Sequence, residues 1–294
     1  MRLAELFSIS TPDLGPRPRD DELDLFGMTH VGRVRSENQD HFLLATVHPQ
    51  VVVHATSLPM PQELPLRGSR LATLMLVADG VGGTDAGAEA SRVAAETIAR
   101  YVASSLRCYH TVGQNDREFL DALRTAALEA HAAVREDAAT RLQGQTTATT
   151  LTLGIIVWPW VYVLQVGDSR FYYFTRGRLQ QVSRDQTLAQ DLVDQGLLSP
   201  ERASASGLGN VLSSAIGAEQ ATPEVTRVEI RELGGVLLAC TDGLTKHVSD
   251  DEIAEQLRTM ASAEQVCHSL VDLALERGGT DNITIVVARA VRRN

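Results

Sequence analysis

The sequence predicts an α+β fold built from antiparallel sheets covered by helices, and three observations carry that prediction. Strand-like and helix-like segments come in blocks, with a β-rich stretch, two helices, a second β-rich stretch, two helices and a last strand. Helices in sequential pairs argue against the regular βαβ alternation of a doubly wound sheet. Two apolar strand-like runs, ending at Ala78 and Cys240, lead within two residues to an Asp-Gly pair followed by a helix. With 44% hydrophobic and 22% charged residues over 294 positions, the chain can bury a sizeable core, as one large domain or two small ones.

In chain order, residues 1–22 hold Pro12, Pro16, Pro18 and the run Asp20-Asp21-Glu22 and read as a loose N-terminal arm, with a helical turn or two over 1–9. A domain follows over 23–291. Strands are predicted over 23–31, 42–47, 51–55 and 71–78, with an exposed loop over 56–70 marked by Pro59, Pro61, Pro65 and Gly68. Ala-rich segments with apolar residues at helical spacing predict helices over 86–107 and 116–142. Strands follow over 147–157, 160–167, 170–175 and 178–182. Trp158-Pro159-Trp160 is the turn between two buried strands, and Arg176 and Arg178 are hairpin charges. Short helices over 187–195 and 199–204 lead into a mobile Ser- and Gly-rich loop, 204–210. Strands over 224–231 and 235–240 precede helices over 249–259 and 262–277, each opened by a serine cap, Ser249 and Ser262. The last strand covers 282–289.

A net charge of −10 argues against nucleic acid or an anionic membrane surface as the main partner. Cys108, Cys240 and Cys267 are odd in number, widely spaced and form no CxxC pair, so neither a disulfide framework nor a zinc site is predicted and a reducing, cytoplasmic setting fits. Cys240 lies in an apolar strand and reads as core. Residues 1–26 lack the apolar core of a signal peptide, and the most apolar stretch, 151–166, is too short for an easy membrane span and contains Pro159.

The acids carry the chemistry. Asp79 closes the strand 71–78, Asp242 follows the strand 235–240, and Asp281 stands just before Ile283-Thr-Ile-Val-Val-Ala288. One Asp-Gly is a common turn, so the three count only as a set. Carboxylates at strand ends can converge on one point, where they repel unless neutralised, and the usual neutraliser is a hard divalent cation with oxygen ligands.

Six stretches, in order, point further: Gly32 to Asp40 (GRVRSENQD), Asp79 to Gly83 (DGVGG), Thr146-Thr147, Val166 to Arg170 (VGDSR), Thr241 to Leu244 (TDGL) and Gly278 to Asn282 (GGTDN). Together they make residues 24–290 resemble the metal-dependent type-2C serine/threonine protein phosphatases, in particular their compact bacterial branch. Gln190 to Pro200, Asn210-Val211-Leu212 and Ala215-Ile216-Gly217 resemble that family's flap, about 185–220. The resemblance implies a four-layer α-β-β-α sandwich with two central antiparallel sheets. It implies two Mg²⁺ or Mn²⁺ ions bridged by Asp79, one also held by the Gly80 carbonyl and the other by Asp242 and Asp281. Asp40 would hold water around the ions, Asn282 would orient Asp281, and Asp168 would belong to a third, weaker ion. Arg35 would bind the substrate phosphate through its planar guanidinium. The partners implied are phosphorylated proteins, opposite a serine/threonine kinase, for a monomeric signalling enzyme.

The sequence departs from the pattern in places. Gln39 stands where many relatives carry Glu. Val81 replaces a histidine proposed as general acid in animal relatives. His30 stands where bacterial relatives often have Asp; with His41 and His247 it is a candidate supplementary acid beside an ordinary imidazole reading. Gln145 replaces a common glycine. Asp168 has a second reading as a turn acid paired with Arg170. Two function classes follow: an active phosphoprotein phosphatase that uses water and no catalytic cysteine, and a catalytically weak, phosphatase-like regulatory module. Degenerate members lose a metal aspartate, and Asp79, Asp242 and Asp281 are all present.

Overall fold

The computed structural model describes residues 17–50, 52–57, 66–82, 85–105, 116–141, 147–204, 206–230 and 233–291. The predicted turns over 1–9, and Gly83, Cys108, Gln145 and Thr146, lie outside the described residues. The strands are β1 (Leu23–His30), β2 (His41–Val47), β3 (Ala72–Ala78), β4 (Gly80–Val81), β5 (Ala148–Thr149), β6 (Leu151–Val157), β7 (Trp160–Val166), β8 (Arg170–Thr175), β9 (Arg178–Gln181), β10 (Glu224–Glu229), β11 (Val236–Cys240) and β12 (Ile283–Ala290). The helices are α1 (Asp85–Ser104), α2 (Asp116–Arg141), α3 (Leu188–Asp194), α4 (Pro200–Ser204), α5 (Asp242–Thr245), α6 (Asp250–Thr259) and α7 (Ala263–Glu276). Among the described residues no helix is long and apolar enough to cross a membrane.

Two five-stranded sheets, each antiparallel throughout, form the centre, in the orders β1-β12-β11-β8-β9 and β10-β7-β6-β3-β2. The period of two along each strand decides which layer a side chain enters. In β3, Leu74 and Leu76 join Ile98 of α1 and Ala127 of α2, whereas Met75 and Val77 meet Phe171 and Val286 between the sheets. In β11, Leu238 and Cys240 pack with Leu257 of α6 and Leu270 of α7, whereas Leu237 and Ala239 face the inter-sheet core. The layers are therefore α-β-β-α, as the resemblance implied. Because both faces of the central strands are covered, they read as continuous apolar runs rather than as alternation.

Cys240 is wholly buried, and burial pushes its thiol up to about 12, which fits a core residue rather than a reactive one. One predicted strand is corrected: residues 52–57 have no strand pairing, and their neighbourhood contributes only the isolated bridge Gln50↔Arg67. Val52 and Val53 are exposed there, so β-branched propensity found no partner strand or core face to act on. The residues just before β1 are tied to the sandwich, with Arg70 Nη1 donating to Asp20 Oδ1 at 2.6 Å and Nη2 to the Pro18 carbonyl at 2.7 Å.

Candidate functional site

Strand direction brings the acids to one rim of the sandwich. Phe42 opposes Val77, so Asp40, just before β2, and Asp79, just after β3, share one end of the second sheet. Cys240 opposes Ile285, so Asp242, beyond β11, and Asp281, before β12, share the matching end of the first. Asp168 sits where the chain crosses from β7 in one sheet to β8 in the other. Asp79, Asp168, Asp242 and Asp281 line a cleft of about 1210 Å³, with Arg35, Gly80 and Asn282 also on its wall. Asp40 is buried beside it, 4% exposed.

Hydroxyls and close backbone contacts hold these turns. The Asp79 N–H donates to Thr150 Oγ1 at 3.0 Å, and its carbonyl accepts from Thr149 Oγ1 at 2.8 Å and Thr150 N at 2.9 Å. Thr150 Oγ1 meets Ser169 Oγ at 2.6 Å, which links the Asp79 turn to the Asp168 crossing. Asp40 Oδ2 accepts from Thr241 Oγ1 at 2.8 Å and Thr284 Oγ1 at 2.7 Å, so Thr241, just after β11, and Thr284, in β12, clamp it from the other sheet. The Asn282 side chain is spent on the loop that carries Arg35 rather than on Asp281. Its Nδ2 donates to the Val31 and Glu37 carbonyls, both at 2.9 Å, and its Oδ1 accepts from Gln39 N at 2.9 Å. Only its backbone N–H reaches Asp281 Oδ1, at 3.0 Å.

Burial raises the Asp79 carboxyl well above the usual range, and Asp40, Asp242, Asp168 and Asp281 push it further. Asp40 rises to about 7, through burial, against the pull of its two threonine hydrogen bonds. Asp168 also rises to about 7, through burial first and Asp242 next. Asp281 behaves oppositely: burial would raise it, but hydrogen bonds from Arg35 and Lys246 hold it below the ordinary range. Arg35 Nε stands 2.8 Å from Asp281 Oδ1, and Lys246 Nζ lies 2.6 Å from Asp242 Oδ2 and 2.8 Å from Asp281 Oδ2.

The donors suit a hard divalent cation, since every candidate ligand is oxygen. Asp40 Oδ1 and Asp242 Oδ1 are buried carboxylate oxygens with no hydrogen-bond partner, the kind of group that an ion would satisfy. The expected convergence is nonetheless only partial. Among the described residues no three His, Cys, Asp or Glu side chains close around one point, and Lys246 and Arg35 lie against the Asp242–Asp281 pair.

The turn-acid reading of Asp168 loses its partner, since Arg170 forks onto Asp185, Nη2 to Oδ2 at 2.7 Å and Nε to Oδ1 at 3.0 Å. The three candidate histidines are engaged away from the cleft wall. His30 Nδ1 accepts from Gly32 N at 2.9 Å, His41 Nδ1 meets Ser91 Oγ at 2.8 Å, and His247 Nε2 meets Thr280 Oγ1 at 2.9 Å. Val81 does line the cleft, exposed and without a proton to give. Residues of the 185–220 stretch form the facing wall, including Leu188, Asp191, Val211 and Ser213. The Gln186 side chain and the bridge Thr149↔Ile216 fasten its base. Sequence reasoning assigned no role to Thr241, Thr284 or Lys246. Lys246 had a signal, its spacing of four from Asp242 on a short helix.

Residues 66–276 match the family model described as "Protein phosphatase 2C". The serine/threonine protein phosphatase PstP of Mycobacterium tuberculosis is 32% identical over 220 residues, 75% of this chain and 41% of PstP. This chain thus spans about two fifths of that relative's length. Protein phosphatase PhpP of Streptococcus pneumoniae is 29% identical over 260 residues, 88% of this chain and 94% of PhpP. The crystal structure of the catalytic domain of PstP in complex with two manganese ions superposes with a TM-score of 0.68 at 28% identity, covering 92% of this chain and 99% of that one.

Proposed function

Because the chain belongs to the protein phosphatase 2C family, we infer that it is a metal-dependent protein serine/threonine phosphatase that hydrolyses phosphoserine and phosphothreonine on proteins. The observation that carries this reading is the gathering of four aspartates from both sheets on one cleft with an arginine at its wall. Asp79 would bridge two Mg²⁺ or Mn²⁺ ions, the Gly80 carbonyl would serve one of them, and Asp242 and Asp281 the other; Asp168 would serve a third. When bound, such a pair supplies Lewis-acid stabilisation of phosphoryl oxygens and makes water a competent nucleophile near neutral pH.

The chain's own residues do the rest. Arg35 is half-exposed and turns its guanidinium from Asp281 to two oxygens of an incoming phosphate. Asp40, clamped by Thr241 and Thr284, keeps one oxygen for water beside the cleft. Asn282 holds the 31–39 loop so that Arg35 is aimed at the site. The facing wall, 185–220, shields the phosphoester from solvent. Residues 23–291 serve as one catalytic domain after an N-terminal arm. The partners are phosphorylated proteins, opposite a serine/threonine kinase, and the enzyme is a monomer in the cytoplasm of a bacterium, acting in signalling.

The test is hydrolysis of a phosphothreonine peptide by the full chain with Mn²⁺ and with excess chelator. Turnover only with the metal is expected. Full turnover after dialysis against chelator would remove the metal mechanism, and none in either condition would leave a phosphatase-like binding module.

A further inference from the structure

Lys246 is the sole lysine of the sequence; the other 26 of its 27 basic Lys and Arg residues are arginines. It stands in the cleft, and it caps the short helix α5 with its N–H on the Asp242 carbonyl at 2.8 Å. One helical turn separates it from Asp242, so its stem returns along the same face. Its ammonium lies 2.6 Å from Asp242 Oδ2 and 2.8 Å from Asp281 Oδ2. With Arg35 on both oxygens of Asp281 and the ammonium on Asp242 Oδ2, Asp242 Oδ1 is left as a buried oxygen without a partner.

We propose that Lys246 is the resident counter-ion of the Asp242–Asp281 pair, and that a divalent cation enters that half of the site only by exchange with its ammonium. The inference rests on the metal-centre reading above. A cation ligated by Asp242 and Asp281 would stand within a few ångströms of the ammonium that holds their Oδ2 atoms, and two cations at that spacing repel strongly at low effective dielectric. The side chain has somewhere to go, since it is one-third exposed to the open cleft. The residue type suits the task. An ammonium is a point charge on a flexible stem, whereas a guanidinium would fork onto both carboxylates and leave less readily. Among its 27 Lys and Arg residues, the single lysine stands where the charge must give way to an incoming cation. Among the described residues Asp79 makes no ion pair, and the charges that press on it hardest are four carboxylates. The two halves therefore load in sequence, the Asp79 side first and the Asp242–Asp281 side second.

Two measurements on the full chain test this. In the first, Mn²⁺ binding is followed by calorimetry for the wild type, Lys246→Met and Lys246→Arg. The wild type should show a tighter and a weaker step. Lys246→Met should tighten the weaker step by about tenfold or more, as removal of a like charge at a few ångströms requires, and leave the tighter one within about twofold. Lys246→Arg should not tighten it. In the second, which needs no variant, acylation of Lys246 by an amine-reactive ester is timed by peptide mass spectrometry with and without Mg²⁺; the peptide that holds the single lysine is scored apart from the one that holds the α-amine. Metal should speed labelling several-fold as the ammonium is released to solvent. Wild type that binds Mn²⁺ while the weaker step is unchanged or weakened in Lys246→Met, or labelling that Mg²⁺ leaves unchanged or slows, overturns the exchange alone. Wild type that binds no Mn²⁺ overturns both the exchange and the metal centre.

Discussion

The two Asp-Gly turns of this molecule have nearly the same sequence setting and opposite electrostatic fates. Asp79-Gly80 ends β3 and Asp242-Gly243 follows β11, each at the same rim of its own sheet. In both, a Cβ on the glycine would collide with a backbone carbonyl, that of Gly87 for Gly80 and that of Asn282 for Gly243. What differs is the residue four positions on, which is Gly83 in the first and Lys246 in the second. The Asp79 carboxyl is pressed mainly by burial and other acids, while Asp242 holds a salt bridge. The same local motif makes one half of the site hungry for a cation and gives the other half one of its own.

The largest expected effect sharpens that contrast. Asp79→Asn should cost at least about a hundredfold in turnover of a phosphothreonine peptide, on the order of 3 kcal/mol. Yet it should leave the melting temperature of the metal-free protein unchanged or raised, because it removes charge from a crowded site. Asp242→Asn should also abolish most turnover, but the metal-free protein should lose about 1–2 kcal/mol of stability as Lys246 loses a partner. Metal-free variants that melt alike would break the comparison.

The glycines come next. Gly80→Ala and Gly243→Ala should each destabilise the fold by about 3 kcal/mol, because the neighbour that must move is backbone rather than the end of a side chain. Denaturant unfolding measures both. A neutral outcome at either would mean that its turn has room the structure does not show.

Arg35 tests the half of the site that carries its own cations. Arg35→Ala should raise KM for the phosphopeptide about tenfold, or about 1.4 kcal/mol, with a smaller change in Mn²⁺ affinity, since its task is the phosphate. Unchanged KM and kcat would assign it to Asp281 alone.

The smallest effect concerns Asp168, at the crossing between the two halves. If its task is delivery of the leaving-group proton, which Val81 cannot supply, Asp168→Ala should lower kcat more for a phosphothreonine peptide than for an aryl phosphate, whose leaving group needs no proton. Equal losses on both substrates would remove that role, and no loss on either would leave Asp168 as a turn residue.

Much of this was open to a reading of the chain before any fold. The strand 71–78, the paired helices 249–259 and 262–277 and the Trp158-Pro159-Trp160 turn follow from local periodicity and turn chemistry, and they stand within a residue or two of their predicted limits. The failed strand near 51–55 shows the limit of such a reading, since β-branched residues make a strand only when a neighbour pairs with them. At the site, the acids announced themselves because each terminates or opens an apolar run. Thr241 and Thr284 did not, because a threonine in or beside a strand has the same appearance whether its hydroxyl clamps Asp40 or nothing.

The sequence by itself determined most of the segments that become strands and helices, and that Asp40, Asp79, Asp168, Asp242 and Asp281 lie at their ends. Those are consequences of spacing along the chain. Only the tertiary structure decided which charges meet. Arg170 chose Asp185 over Asp168, Asn282 went to the Arg35 loop, and Lys246 came to bridge Asp242 and Asp281. Coulomb energy depends on distance and on how much water is excluded between partners, and for residues 35 and 281, or 40 and 241, both are set by the packing of two sheets against each other.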